Sequence, residues 1–233
     1  MRTTLSSSTV TAISRTFKNL NYSSLGRIYC DHGGDAFWRA RRGPCQKLGL
    51  KLAKVLRGRL RPRGRSLYVG AGVAEIPVLV METMELGRSV AAYNLRAEEV
   101  PVLNAALTDN SLKFISGHAQ SAIGAFDHLW IVSVLNDPER FPQLSAVSYG
   151  RANPVTFDPA AFARERKAVI RLAASCLKKL SRPGLVTTSV EEVPWITDWC
   201  VRHGVRYVVE PEHYPTAIVQ DPVCLIRVGP AMM

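Results

Sequence analysis

Gly70-x-Gly72 directly follows the apolar run Leu67-Tyr68-Val69 and stands three residues before Glu75. A short strand, a glycine turn and a helix starting near Glu75 make a ligand cradle. Glycine lets the backbone bend and lets a ligand approach without meeting a Cβ. The helix N-terminus aims unpaired N–H groups into the crevice above the strand. A dinucleotide fingerprint would place a third glycine at position 75. Glu75 stands there instead, and its carboxylate would repel a pyrophosphate. The pattern therefore points to a ligand that is uncharged or cationic near Glu75. A second group, Asn136-Asp137-Pro138, lies just past another apolar run. Asp137 is a candidate general base and Asn136 a candidate substrate orienter; the same residues are also ordinary turn chemistry. Further on, Tyr149, Arg151 and Asn153 offer an aromatic face, a fixed cation and an amide to a small polar ligand.

The elements that must hold these residues alternate. Apolar runs at Ser89–Tyr93, Leu112–Ser116, Phe126–Ser133, Leu185–Val190, Val205–Val209 and Val223–Val228 read as strands. Helical patterns fall at Pro44–Leu60, Ile76–Leu86, from about Glu98, from Pro159 to about Leu180 behind an Asp158 cap, and at Pro194–His203. The last two strands are expected as an antiparallel pair. This rhythm predicts an α/β fold, doubly wound, with a mostly parallel seven-stranded sheet covered by helices on both faces. Residues 136–158, broken by Pro138, Pro142, Gly150 and Pro154, are expected to be a long loop. It should act as a lid at the carboxyl edge of the sheet.

Residues 1–43 read as an N-terminal extension or cap on a main domain at 44–233. The first thirty are rich in Ser and Thr and carry no acid before Asp31. They read as an organellar transit peptide, a poorly ordered tail or a lid. His32 and Trp38 in the following turn either touch substrate or anchor the cap. The five scattered cysteines, never in a C-x-x-C pair, argue against a disulfide framework or a metal site and for a reducing compartment. No apolar run reaches membrane-spanning length, so a cytoplasmic protein without a membrane partner is expected. The net charge of +11 is concentrated. Eleven cations between Arg39 and Arg65 have no acid among them, and the rest of the chain balances 19 bases against 19 acids. Such a block attracts polyanions, and it equally suits a solvated helix face.

In order and spacing, these segments resemble the class I S-adenosylmethionine-dependent methyltransferases over roughly Leu48 to Val228. Leu-Tyr-Val-Gly-Ala-Gly72 looks like their first motif. Ser116-Gly-His-Ala119 looks like the turn after strand three, Phe126 to Leu135 like motif four, and Leu180-Ser-Arg-Pro-Gly-Leu185 like the turn before strand five. The resemblance implies S-adenosylmethionine as cofactor. Tyr68, Gly70, Ala71 and Gly72 would pack its methionine part, with Glu75 on a polar end. Asn94 stands where the family has an acid and would take the ribose hydroxyls. His118 and Ala119 would flank adenine, and Ser133 and Val134 would complete the site. The implied activity is methyl transfer to a small-molecule acceptor. The alternatives are an RNA methyltransferase using segment 39–65 and a non-catalytic cofactor-binding protein. The acceptor and the oligomeric state stay open.

Overall fold

The computed structural model describes residues 4–29, 34–107, 111–216 and 221–229. His32 lies outside them. Two compact units divide the chain: Met1–Ile123 with Tyr214–Gln220, and Gly124–His213 with Asp221–Met233.

In the first unit, the segment read as a tail is helical. Helix α1 (Ser7–Asn19) starts at a Ser6 cap whose hydroxyl accepts from Thr9 N–H at 3.2 Å, and it buries Ile13 and Phe17. Helix α2 (Tyr22–Tyr29) follows, then α3 (Gly34–Arg57). Expectation placed the start of α3 at Pro44. The helix instead begins ten residues earlier and runs through Pro44, so a boundary at 43/44 falls inside one helix. A proline there removes one helical hydrogen bond; burial of Trp38, Cys45, Leu52, Ala53 and Leu56 along one face outweighs that loss. Helices α2 and α3 meet backbone to backbone at Gly26 and Gly34, where an added Cβ would lie 2.3–2.5 Å from the other glycine.

Strand β1 (Arg65–Val69) leads into the glycine turn, a 3-10 turn (Val73–Glu75) and α4 (Ile76–Leu86). Gly87 ends α4 at φ 58°, the left-handed cap that favours glycine. Then come β2 (Ser89–Asn94), α5 (Glu99–Ala106) and β3 (Phe114–Ser116). β2 pairs parallel with both β1 and β3. Beneath β1 lies a fully buried polar cluster. Arg88 Nε donates to Glu82 Oε2 at 2.9 Å and Arg88 Nη2 to Ser66 Oγ at 2.9 Å. Tyr68 donates its hydroxyl to Glu82 Oε1 at 2.5 Å. Burial and the Glu82 carboxylate push the Tyr68 phenol well above its ordinary pKa, which keeps it a donor.

The second unit holds β4 (Phe126–Ile131), α6 (Pro142–Ser148), α7 (Pro159–Leu177), β5 (Leu180–Ser189), α8 (Val193–Arg202), β6 (Tyr207–Val209) and β7 (Val223–Val228). Asp158 caps α7 as expected, accepting from Ala160 and Ala161 N–H at 2.9 and 3.0 Å. β4 and β5 are parallel, and β7 runs antiparallel to both β5 and β6. Two expectations fail here. Ser181-Arg-Pro-Gly184 is no turn but part of β5, absorbed as a bulge between the pairs Phe126–Leu180 and His128–Leu185. The long loop after β4 contains α6, because Leu144 and Ser145 are buried and Pro142 opens a helix well.

The strand order is β3-β2-β1-β4-β5-β7-β6, a seven-stranded, mostly parallel α/β sheet. No helix among the described residues is long and apolar enough to cross a membrane.

Candidate functional site

Three turns at the carboxyl ends of β1, β2 and β3 are joined by hydrogen bonds in the first unit. Ala71 N–H donates to Tyr93 O at 2.8 Å, the Asn94 side chain to Ala71 O at 2.8 Å, and Gly117 N–H to Asn94 O at 2.9 Å. Gly70 at φ 74° and Gly117 at φ 134° hold conformations that side chains rarely adopt. Gly70-Ala-Gly72, Asn94 and Gly117 are therefore brought together, and His118 and Ala119 follow directly. His118 is exposed and Ala119 buried.

The charges around Gly72 set what this crevice accepts. Gly72 N–H donates to Glu75 Oε2 at 2.8 Å. Glu99, a residue that sequence reading passed over as an ordinary helix start, lies 1% exposed at the head of α5. A Cβ on Gly72 would come 3.3 Å from Glu99 Oε1, 3.8 Å from Glu75 Oε2 and 3.8 Å from the Tyr29 hydroxyl. Tyr29, at the end of α2, donates to Glu99 Oε1 at 2.9 Å. Its ring stacks near Phe37 at 5.9 Å and lies under the Arg96 guanidinium at 4.5 Å. Burial raises the Glu99 carboxyl above its ordinary pKa, and hydrogen bonds from Asn94 and Tyr29 oppose that rise. Burial likewise lifts the Tyr29 phenol.

Two expected cofactor residues have other roles. Tyr68 belongs to the buried cluster with Glu82, because alternation along β1 turns its side chain into the core. Asn94 gives its two amide hydrogens to Ala71 O and to Glu99 Oε2 at 2.9 Å, and its oxygen accepts from Arg96 N–H at 2.7 Å. It fixes the turns and positions Glu99.

In the second unit, the chain after β4 is gripped by one carboxylate. Glu192, fully buried, accepts from the N–H groups of Ser133 at 3.1 Å, Val134 and Leu135, and from the Thr188 hydroxyl at 3.1 Å. Burial raises its pKa, and hydrogen bonds from Leu135, Ser189 and Val134 oppose that rise. The grip holds Ser133 at φ 55° with a buried hydroxyl that finds no hydrogen-bond partner among the described residues. Left-handed backbone at a non-glycine residue, kept by surrounding bonds, is a strained conformation of the kind that clusters at functional turns. Val134 is buried beside it. Asn136, expected to orient substrate, is scaffold: its amide donates to Glu191 O at 3.0 Å and accepts from Trp195 Nε1 at 3.1 Å. Asp137 is half-buried and accepts from Glu139 N–H at 2.9 Å, a local turn bond.

Of the three residues expected in the lid, two come together. Tyr149 donates to Asp221 Oδ2 at 3.2 Å, and Arg151 lies 5.5 Å over its ring. Burial and Asp221 raise the Tyr149 phenol strongly, so it stays protonated. Asn153 turns back to accept from Val155 N–H at 2.9 Å.

No protein-family model matches the chain, and no curated protein matches it either. Solved structures do. Magnesium protoporphyrin IX methyltransferase (ChlM) from Synechocystis PCC 6803, solved with bound SAM, aligns at TM-score 0.54 and 12% identity, covering 97% of this chain and 99% of that one. Trm5b from Pyrococcus abyssi aligns at 0.49 and 10% over 78% and 49%. Precorrin-6y C5,15-methyltransferase from Geobacter metallireducens GS-15 aligns at 0.47 and 9% over 78% and 88%. At these identities the similarity is one of fold.

Proposed function

We propose that this chain, which has the fold of the class I S-adenosylmethionine-dependent methyltransferases, transfers a methyl group from S-adenosylmethionine to a small-molecule acceptor. One observation carries the cofactor reading: the Gly72 N–H that would receive a dinucleotide phosphate is already capped by the Glu75 carboxylate, with the Glu99 carboxylate beside it. Two carboxylates at one glycine turn suit an ammonium and a sulfonium, not a pyrophosphate. The cradle at Gly72, which a Cβ would narrow, fits the same group.

When bound, the cofactor supplies an already activated methyl. The protein has then to align and dry the reacting atoms. Gly70, Ala71 and Gly72 would pack the methionine part, and Glu75 and Glu99 would face its positive end. His118 and Ala119 would flank adenine. Ser133 and Val134 stay in the reading as residues held in place by Glu192. Asp137 is the candidate base wherever the acceptor carries a proton. Arg151 with Tyr149 would hold the acceptor, with Asn153 at the edge of that loop.

Calorimetry tests the cofactor. S-adenosylhomocysteine should bind with micromolar-range affinity and NAD should not; the reverse would end the reading. The affinity should also depend on pH. Glu99 is charged above its raised pKa, so binding of the ammonium weakens as pH falls through that value, while Glu99→Gln binds weakly at every pH. A profile identical in the two proteins would remove Glu99 from the site.

The acceptor class is tested with methyl-labelled S-adenosylmethionine and a cell extract split into small-molecule and RNA fractions. Label is expected in the small-molecule fraction, because Ser133 to Glu139 lacks the Asn/Asp-Pro-Pro-aromatic signature of enzymes that methylate base amines. Arg151→Ala should cut that labelling about tenfold, the size of one charge-assisted contact, and leave cofactor affinity unchanged. Equal labelling by the variant would remove Arg151 from acceptor binding. Label in the RNA fraction would move the protein to the second reading. That reading is favoured by the rings of Tyr22 and Phe37, which stand beside Arg42 and Arg41.

A further inference from the structure

The cationic block between Arg39 and Arg65 becomes a surface once α3 is built. Arg39, Arg42, Lys47, Lys51 and Lys54 are all exposed, and helical geometry puts them on one half of the helix. The opposite half carries the buried Trp38, Cys45, Leu52 and Leu56, and Gly49 seats it on Pro77, where an added Cβ would lie 2.5 Å from the ring. The stripe therefore cannot rotate inward. From Arg39 to Lys54 the stripe covers 15 residue steps of the helix, about 23 Å at 1.5 Å per residue. None of the five is in an ion pair among the described residues. Further along the helix, outside the five, Arg57 pairs with Glu85. An uncompensated row of this kind raises the local concentration of polyanions.

Charge alone would fit any polyanion. A second feature narrows the choice. Packing of α2 on α3 brings rings beside the N-terminal end of the stripe, a juxtaposition absent from the linear sequence. The Arg41 guanidinium lies 4.0 Å over the Phe37 ring and Arg42 lies 5.6 Å from the Tyr22 ring. Both rings are half-buried and each carries an arginine beside it, while Tyr29 stacks on Phe37 at 5.9 Å, so the planes offered for stacking at that end include the Arg41 and Arg42 guanidinium groups. Cations spaced along a track with arginine-capped rings at one end suit single-stranded nucleic acid, phosphates on the cations and bases on the guanidinium planes.

We propose that α3 and the ring pair at its head form a binding face for single-stranded RNA. This inference does not depend on methyl transfer, and its test does not use the cofactor. Anisotropy of a labelled 20-nucleotide single-stranded RNA is measured with the full chain from low to physiological salt. Binding is expected at about 50 mM salt and should fall steeply by about 200 mM as counterions are released. The triple variant Lys47→Glu, Lys51→Glu, Lys54→Glu should bind at least tenfold more weakly. Losing three phosphate contacts should also flatten the salt slope by about 2. The control triple Arg164→Glu, Lys167→Glu, Arg171→Glu removes the same charge from exposed positions on α7 and should change affinity little. If the glutamate triple on α3 fails to fold, the corresponding glutamine triple makes the same comparison. Absence of binding at low salt, equal loss in the α7 control, or equal competition by polyglutamate or by duplex RNA of the same length would each overturn the proposal.

Discussion

Arg88→Ala is expected to remove about 3–5 kcal/mol of stability, the usual cost of stranding one partner of a buried ion pair. Both side chains of the Arg88–Glu82 pair are 0% exposed. Without the guanidinium, Glu82 is left with neutral donors, the hydroxyls of Ser66 and Tyr68 among them. Two neutral donors do not offset the desolvation of a carboxylate in the core. Arg88 also donates to Arg61 O at 2.5 Å, so the loop that delivers β1 loosens as well. The melting temperature should fall by on the order of 10 °C. Urea unfolding of the single variant and of Glu82→Leu with Arg88→Leu checks the mechanism. The double variant should lose much less than the two single changes combined, because no uncompensated charge remains. A single-variant loss below about 1 kcal/mol would show that the carboxylate protonates or finds water instead.

Gly72→Val should abolish S-adenosylhomocysteine binding, by about a hundredfold or more, or roughly 3 kcal/mol, without unfolding the protein. The backbone at Gly72 has φ −143°, outside the left-handed region that favours glycine. Its effect is spatial. A Cβ already reaches 3.3 Å from Glu99 Oε1, and two further methyl groups would project into the space between Glu99, Glu75 and Tyr29. Gly43→Ala is the control, since nothing lies within 4 Å of a Cβ there. Circular dichroism and calorimetry on both variants separate the outcomes. A folded Gly72→Val protein that still binds would place the ligand elsewhere.

What could be read from the sequence was periodicity and punctuation. Leu67 to Val69, the glycines after them and the Asp158-Pro159 helix start are local signals, and each stands where its neighbours alone dictate. The misses are tertiary. Pro44 stops a helix by local rule, but the buried face from Trp38 to Leu56 carries α3 through it. Ser181-Arg-Pro-Gly184 has turn composition, yet pairing on both sides of β5 absorbs it. Residues 7–29 have the composition of a tail, and only packing in the first unit makes them helices. At the site, the glycine turns and Glu75 were legible because their chemistry sits in one stretch. Glu99 and Glu192 were not. Each acts on a segment distant in sequence, Glu99 on Tyr29 and Glu192 on Ser133 to Leu135. No spacing rule connects such pairs. Asn136 looked catalytic for the converse reason: an amide after a strand reads as reactive until Trp195 and Glu191 are seen to hold it.

Tyr214 belongs to the first unit, with the Lys51 ammonium 5.3 Å from its ring. Apart from Tyr214–Gln220, that unit is encoded before Gly124. On the ribosome, this sets an order of events. The first unit emerges without one of its own buried side chains and waits for about ninety residues of the second unit to be made. At about 5–20 residues per second that wait lasts roughly 5–20 s. During it, the surface later covered by Tyr214 is open to water and to other chains. A nascent chain stalled near residue 200 should therefore be more sensitive to protease in its first half than the released protein. Slowing translation after residue 123 should lengthen that exposure and lower the yield of soluble protein.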